Sequence, residues 1–335
     1  MQKIRFGILG AARIAHKKLL PAIRAAANAD VLGLASRDQE RAREIAEVHG
    51  IPRIYPSYEA LLDDPEIDAI YIPLPNSLHR EWTIRAAEKG KHILCEKPAA
   101  LNAQECEEMI AFCREHSVLF MEAFMYRFHP QHIRVREIIS SGRIGEPLLI
   151  RAHFSFSLNE PSEDIRLVPE LGGGALYDVG CYCINISRWY FSAEPFRVYV
   201  TAKLNEVDIA SVGILEFPDG KMAIFDCALD RCWRQGCEVV GTRGKIEIPL
   251  PFNPEKEPTS LFISMDGQIM EEKIDGCDQY QLQVESFAQA ILKIARFGGS
   301  QASPYPASDT LQNMRVIDAC YRSMRTGVPV EVSQG

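Results

Sequence analysis

Four short stretches near the start of the chain combine glycines, cations and hydroxyls in patterns that suit a phosphorylated ligand and a reacting alcohol. The first, Gly7-Ile-Leu-Gly10-Ala-Ala12-Arg13-Ile14-Ala15, follows a short apolar run from Ile4 to Leu9. A dinucleotide fingerprint, Gly-x-Gly-x-x-Gly or Ala, turns the chain tightly and brings a helix N-terminus to a pyrophosphate. Gly10 and Ala15 fit it, but Ala12 stands where the second glycine is usual, so a plain strand-to-helix turn also explains the stretch. The second, Ala35-Ser36-Arg37-Asp38, falls where an NAD site carries Asp or Glu for the ribose hydroxyls. A hydroxyl and a guanidinium suit a phosphate there, which favours NADP; a solvated arginine partnered by Asp38 is the competing reading. The last two are Ile72-Pro73-Leu-Pro-Asn76-Ser-Leu-His79 and Cys95-Glu96-Lys97-Pro98. Each follows an expected parallel strand, and open α/β sheets bind ligands at the carboxyl ends of their strands. Lys97 either points into such a cleft or is a surface lysine on a turn.

The elements that would position these residues alternate. Strands are expected at Ile4 to Leu9, Val31 to Ala35, Ala69 to Ile72, His92 to Cys95 and Val118 to Met121. Helices fit at Arg13 to Ala27 (broken near Pro21), Gln39 to His49, Leu78 to Lys89 and Ala103 to Glu115. Such alternation implies a parallel sheet with helices on both faces. After Phe124 the pattern changes. A helix near Gln131 to Ser140, a strand from Pro147 to Phe156 and a helix from Leu176 to Phe191 lead into successive strand candidates. These are Arg197 to Leu204, Ala210 to Phe217, Met222 to Ala228, Cys237 to Val240 and Leu261 to Ser264. Short turns such as Pro218-Asp219-Gly220 make this second sheet antiparallel. Two closing helices, Gln281 to Arg296 and Ser308 to Arg325, are expected to cover it. The fold class is an α/β Rossmann-type domain (1–124) followed by an α+β domain (125–335) on a large, mostly antiparallel open sheet.

Composition narrows the function. The 335 residues carry a net charge of −8, with no basic tail or stripe to neutralise a phosphate backbone or an anionic membrane. No apolar run is long enough for a spanning helix, and Met1-Gln-Lys-Ile-Arg lacks a signal peptide's apolar segment, so a cytoplasmic protein is expected. The 10 cysteines show no CxxC pair. Several sit in apolar runs, which reads as buried free thiols in a reducing compartment, with no metal site.

Taken together, these motifs resemble the glucose–fructose oxidoreductase and inositol dehydrogenase (Gfo/Idh/MocA) family over nearly the whole chain. Glu96-Lys97-Pro98 looks like its signature beside the nicotinamide, and Gly172-Gly-Gly-Ala-Leu-Tyr-Asp178-Val-Gly180-Cys-Tyr182 resembles its second signature. Tyr182 stands where many members have histidine. The likeness is therefore to a tyrosine branch that includes dihydrodiol and NADP-dependent xylose dehydrogenases. Glu122-Ala-Phe-Met-Tyr-Arg127-Phe-His-Pro130 and Asp164-Ile-Arg166 are similar to that branch too.

The resemblance implies an NADP(H)-dependent oxidoreductase moving a hydride between nicotinamide and a sugar or cyclic polyol, in a cleft between the domains. Tyr182 would be the acid/base. Lys97 would be its electrostatic partner, lowering a phenol pKa that is ordinarily ~10. The rival assignment makes Lys97 the proton donor. Asp178, four residues before Tyr182, would bond a substrate hydroxyl, steer Lys97, or simply favour a helix N-terminus. Gly10, Ala12, Arg13, Ile14, Ser36, Arg37, Pro73, Asn76, His79, Glu96, Lys97 and Arg166 would bind the cofactor. For Arg166 an exposed loop position competes, and for His79 helix capping or packing. Trp82 and Tyr126 could stack on a sugar, though aromatics at such places are more often core. A homodimer through the open C-terminal sheet is expected, with a tetramer as alternative. A ketosugar reductase running in the opposite direction, a non-catalytic NADP sensor, and a glycosidase with tightly held nicotinamide are the competing functions.

Overall fold

The computed structural model describes residues 2–158, 164–297 and 304–333. The chain divides into two compact units, Met1–Met125 with Asp278–Leu311, and Tyr126–Cys277 with Gln312–Gly335.

In the first unit, β1 (Ile4–Leu9), β2 (Ala29–Ala35), β3 (Arg53–Tyr55), β4 (Ala69–Ile72), β5 (His92–Cys95) and β6 (Phe120–Glu122) form one sheet. Its order is β3-β2-β1-β4-β5-β6, and every pairing is parallel. Phe6, Ile8, Ile70, Tyr71, Ile72, Ile93 and Leu94 are fully buried, as a sheet covered on both faces requires. Strand order reverses between β1 and β4, so Gly10 and Pro73 leave the sheet at the switch point where such folds bind dinucleotides.

The crossovers are α1 (Leu20–Ala25), α2 (Gln39–His49), α3 (Tyr58–Leu62), α4 (His79–Glu88) and α5 (Ala103–Glu115). Pro21 does not break the first helix. The preceding turn, Ala15–Leu19, widens to a π-turn in which the Leu20 N–H donates to the Ala15 carbonyl. The widened turn lets the helix run on past Pro21, which has no N–H to donate.

In the second unit, α6 (Pro130–Ser140) and α7 (Cys181–Phe191) accompany nine strands. These are β7 (Pro147–Ser157), β8 (Arg197–Leu204), β9 (Asp208–Glu216), β10 (Met222–Ala228), β11 (Asp230–Gly241), β12 (Gly244–Ile248), β13 (Thr259–Met265), β14 (Gln268–Ile274) and β15 (Val330–Glu331). Their order is β14-β13-β12-β11-β7-β10-β9-β8-β15. All pair antiparallel except β7 with β10. α7 packs on β7 and β10. The other face leaves Tyr199, Val212, Ile214 and Met222 exposed.

Two further expectations need correction. Residues 278–311 belong to the first unit, so α8 (Gln279–Phe297) does not cover the antiparallel sheet. It packs on α1, β1 and β2: the rings of Phe287 and Phe6 lie 6.0 Å apart, and Glu285 binds the backbone N–H of Ala27. The final helix, α9 (Ala307–Thr326), runs from one set of residues into the other. The helix expected from Leu176 is also not uniform: Leu176–Gly180 is a π-turn that becomes regular only at Cys181.

Candidate active site

In the first unit the residues expected at the cofactor phosphates cluster at the ends of β1 and β2. Gly10 has φ +103°, which side-chain residues rarely adopt, and a Cβ there would lie 3.0 Å from Leu74 Cδ2. Ala12, Arg13 and Ile14 open the helix that follows, whose first turn carries no acidic residue to compete with an anion. Ser36 follows β2, nearly buried, and its Oγ accepts from the Asp38 N–H at 3.1 Å, keeping its own proton to donate. Asp38 is engaged within its own helix. Its carboxylate caps α2 by accepting from the Arg41 N–H at 3.0 Å. Arg37 is exposed and lies against Tyr58; burial raises the Tyr58 phenol while the guanidinium pulls the other way.

Lys97 sits just beyond β5, half-buried, with a cis peptide to Pro98. Its neighbours are fixed by buried polar groups. The Tyr71 hydroxyl donates to Glu96 Oε1 at 2.6 Å. The ring nitrogens of His79 face the carbonyls of Pro98 and Leu74, each at 2.9 Å. His79 is fully buried and pushed down to about 4, chiefly by desolvation, so the neutral ring donates to only one of the two carbonyls. It is an internal brace between two loops, the packing alternative of the sequence reading. Pro73 is buried, and Asn76 begins a short 3-10 turn on the loop that His79 holds.

Glu122, which the sequence did not single out as a site residue, supports the same loop. Fully buried at the end of β6, it accepts from the Ala99 N–H at 2.9 Å and the Tyr305 hydroxyl at 3.4 Å. Burial pushes its carboxyl up to about 8. The return of residues 278–311 is what brings Tyr305 to this carboxyl.

In the second unit the π-turn carries Asp178, and Tyr182 heads α7. Arg166 Nε donates to Asp178 Oδ2 at 2.7 Å and Nη1 to Asp164 Oδ1 at 3.1 Å; these carboxylates, Asp178 foremost, hold the guanidinium well above its ordinary value. Arg166 is thus placed at Asp178. Tyr182 is nearly buried among rings, with Phe252, Phe154 and Tyr126 at 5.3, 5.6 and 5.8 Å. Tyr126 donates to Asn185 at 2.5 Å and is fully buried, so it is core; Trp82, nearly buried in the first unit, packs edge-on against Tyr58.

The start of the π-turn is held by Asp208, another residue that the sequence did not single out. Its Oδ2 accepts from the Leu176 N–H at 2.7 Å and Ser211 Oγ at 3.2 Å, and Oδ1 from the Tyr321 hydroxyl at 3.0 Å. Gly174, with φ +129°, lets the chain pass: a Cβ there would lie 2.2 Å from Asp208 Oδ1. Burial raises this carboxyl to about 6. Its only sequence signal is an acid opening an otherwise apolar strand, Val207-Asp208-Ile209. Among the described residues no group of three or more His, Cys, Asp or Glu could hold a metal ion, and no helix is long and apolar enough to cross a membrane.

Known proteins place this geometry in a family. Residues 4–124 match the oxidoreductase family with an NAD-binding Rossmann fold, and residues 132–247 match the GFO/IDH/MocA C-terminal domain. The chain is 39% identical over 331 residues to D-xylose 1-dehydrogenase (NADP(+)) 2 of Haloferax volcanii, covering 98% of this chain and 99% of that one. It is 35% identical over 268 residues to trans-1,2-dihydrobenzene-1,2-diol dehydrogenase of Xenopus tropicalis, covering 78% of each. The crystal structure of KijD10, a 3-ketoreductase from Actinomadura kijaniata in complex with NADP and TDP-benzene, superposes with a TM-score of 0.90 at 30% identity. That match covers 96% of this chain and 98% of KijD10. With both matched regions meeting the sheets they describe, the chain belongs to the GFO/IDH/MocA family of oxidoreductases.

Proposed function

We propose that the protein is an NADP(H)-dependent dehydrogenase acting on a CH–OH group of an aldose or cyclic diol, with Tyr182 as acid/base and Lys97 as its electrostatic partner. NADP(H), when bound, carries the hydride at its nicotinamide. Ser36 and Arg37 select the 2′-phosphate, while Asp38 is engaged as a helix cap. The observation that carries the reading is the head of α7: a tyrosine set in an aromatic wall, one turn after a carboxylate paired with Arg166.

Tyr182 takes the hydroxyl proton as the alcohol is oxidised and returns it in the reverse direction. A phenol with a pKa of ~10 is a poor base at neutral pH, and an ammonium near its oxygen stabilises the phenolate. Lys97 supplies that charge in this reading. Asp178, held by Arg166, accepts from a neighbouring substrate hydroxyl. The xylose and dihydrodiol dehydrogenases among the relatives favour oxidation; KijD10 favours the reverse, reduction of a ketosugar.

The exposed apolar row Tyr199, Val212, Ile214 and Met222 supports a homodimer through the open sheet face. Light scattering behind size exclusion checks it: twice the chain mass is expected, and Ile214→Glu should shift the population to monomer. Eight buried cysteines among the described residues suit a reducing cytoplasm. The function is tested by following nicotinamide absorbance with NADP+ and a panel of aldopyranoses, inositols and dihydrodiols, and with NADPH and ketosugars. Turnover with one class supports the reading. Tight NADP binding with no turnover in either direction would replace it with the sensor.

A further inference from the structure

β11 enters its sheet irregularly, since its pairing with β7 shifts between Asp230 and Arg234. Bulges of this kind re-aim side chains beside binding sites. Gln235 lies opposite Phe154, and Trp233 stands in the shifted stretch just before it. The Trp233 ring meets Phe154 edge-on at 5.6 Å and 89°. Phe154 in turn meets Tyr182 at 5.6 Å and stacks on Phe252 at 5.1 Å and 14°. One ring therefore separates Trp233 from Tyr182, yet Trp233 is 58% exposed.

The other two tryptophans are occupied: Trp82 is nearly buried, and the ring of Trp189 carries the Arg127 guanidinium at 4.3 Å. Trp233 also lies on the face opposite the exposed row of Tyr199, Ile214 and Met222, because Ile214 and Ile224 pair in line with Arg151 and not with Phe154. A second copy seated on that row would not cover it. The face that bears Trp233 has a polar side. Phe156, two residues after Phe154, lies under the Arg166 guanidinium at 5.8 Å, and Arg166 holds Asp178. Rings on one flank and a carboxylate on the other match a cyclic sugar, which has a C–H face and a hydroxyl edge.

We propose that Trp233 is the stacking platform for the C–H face of a pyranose ring, and so a residue that selects ring substrates over short acyclic ones. The proposal rests on the reading of Tyr182 as the acid/base. Trp233 holds the ring equally in ground and transition states, so its loss raises KM and leaves kcat nearly unchanged.

The experiment compares wild type, Trp233→Phe and Trp233→Ala with D-xylose, D-glucose and acyclic D-glyceraldehyde at saturating NADP+, alongside sugar titration of tryptophan emission. Trp233→Ala should raise KM for both pyranoses about tenfold, leave D-glyceraldehyde within about twofold, and be largely rescued by phenylalanine. D-xylose should quench emission in wild type but not in Trp233→Phe. Unchanged pyranose KM in Trp233→Ala would overturn the proposal, as would an equal rise for D-glyceraldehyde or a change of oligomeric state. If wild type turns over nothing, the dehydrogenase reading fails by itself. The quench then decides the platform: present and lost in Trp233→Phe, it stands; absent, it falls.

Discussion

Lys97 and Tyr182 are held by opposite kinds of surroundings. The lysine sits on a main-chain loop whose neighbours are gripped by buried polar side chains: Tyr71 on Glu96, His79 on Pro98, Glu122 on Ala99. The tyrosine projects from a helix head into stacked rings, and polar support comes one turn earlier, from Asp208 at Leu176 and Arg166 at Asp178. A loop has no regular hydrogen-bond ladder, so its shape must be set by side chains that reach the backbone. A helix brings its own ladder, leaving only its first N–H groups to be satisfied and its face to be packed. The first surroundings should therefore answer to charge and pH, the second to lost acceptors and lost volume.

The contrast is broken most severely at the lysine itself. Lys97→Met keeps the stem and removes the charge, and kcat should fall on the order of 10²–10³-fold while NADP affinity stays within a few-fold. A smaller loss with unchanged pH dependence would move the charge stabilisation elsewhere. Next comes the acceptor at the helix head. Asp208→Ala leaves the Leu176 N–H buried and unpaired, which should cost about 1–3 kcal/mol in denaturant unfolding and lower kcat about tenfold. Tyr321→Phe removes one donor to the same carboxyl and should cost less, about 1 kcal/mol.

At the cofactor end, Arg37→Ala should weaken NADP about tenfold in titration calorimetry and leave NAD unchanged, since only the former has the phosphate. Equal weakening of both would make Arg37 a general anion contact.

The smallest effect isolates the polar loop. Glu122 titrates at about 8 in the folded chain, raised from 4.5. The native state holds the proton more tightly, so this group's contribution is fully present below pH 4.5 and is lost as pH rises through 8. His79 has the opposite sign, lowered from 6.5 to about 4, and is neutral in both states above 6.5. Between pH 6.5 and 8.5 the melting temperature of Glu122→Gln should therefore fall less than that of wild type. Parallel curves would remove Glu122 from the account.

The parallel strands were legible because strands buried on both faces read as unbroken apolar runs. Ile4–Leu9, Ala69–Ile72 and His92–Cys95 have the bounds expected of them. For Lys97 the end of a parallel strand left a cleft or a surface position open, and its role and those of Asp178 and Tyr182 were read through a resemblance of motifs. β3, with three residues, and β15, with two, are too short for any periodicity, and the exposed β14 has no buried face to show one. The place of α8 was hidden for another reason: an apolar stripe says that a helix is covered, not by what. Asp208, Glu122 and Trp233 have partners 23 or more residues away, in the turn before α7, the lysine loop and β7. Such pairings are made by the fold.

The most direct test of the central claim is single-turnover hydride transfer, followed by nicotinamide absorbance, for wild type and Tyr182→Phe preloaded with NADP+ and mixed with the best substrate of the panel. The hydroxyl is lost while the ring and its contacts with Phe154 and Phe252 remain. The account predicts unchanged NADP binding and a hydride-transfer rate lower by on the order of 10²–10⁴-fold. A rate within a few-fold of wild type would contradict it and pass the proton-transfer role to Lys97.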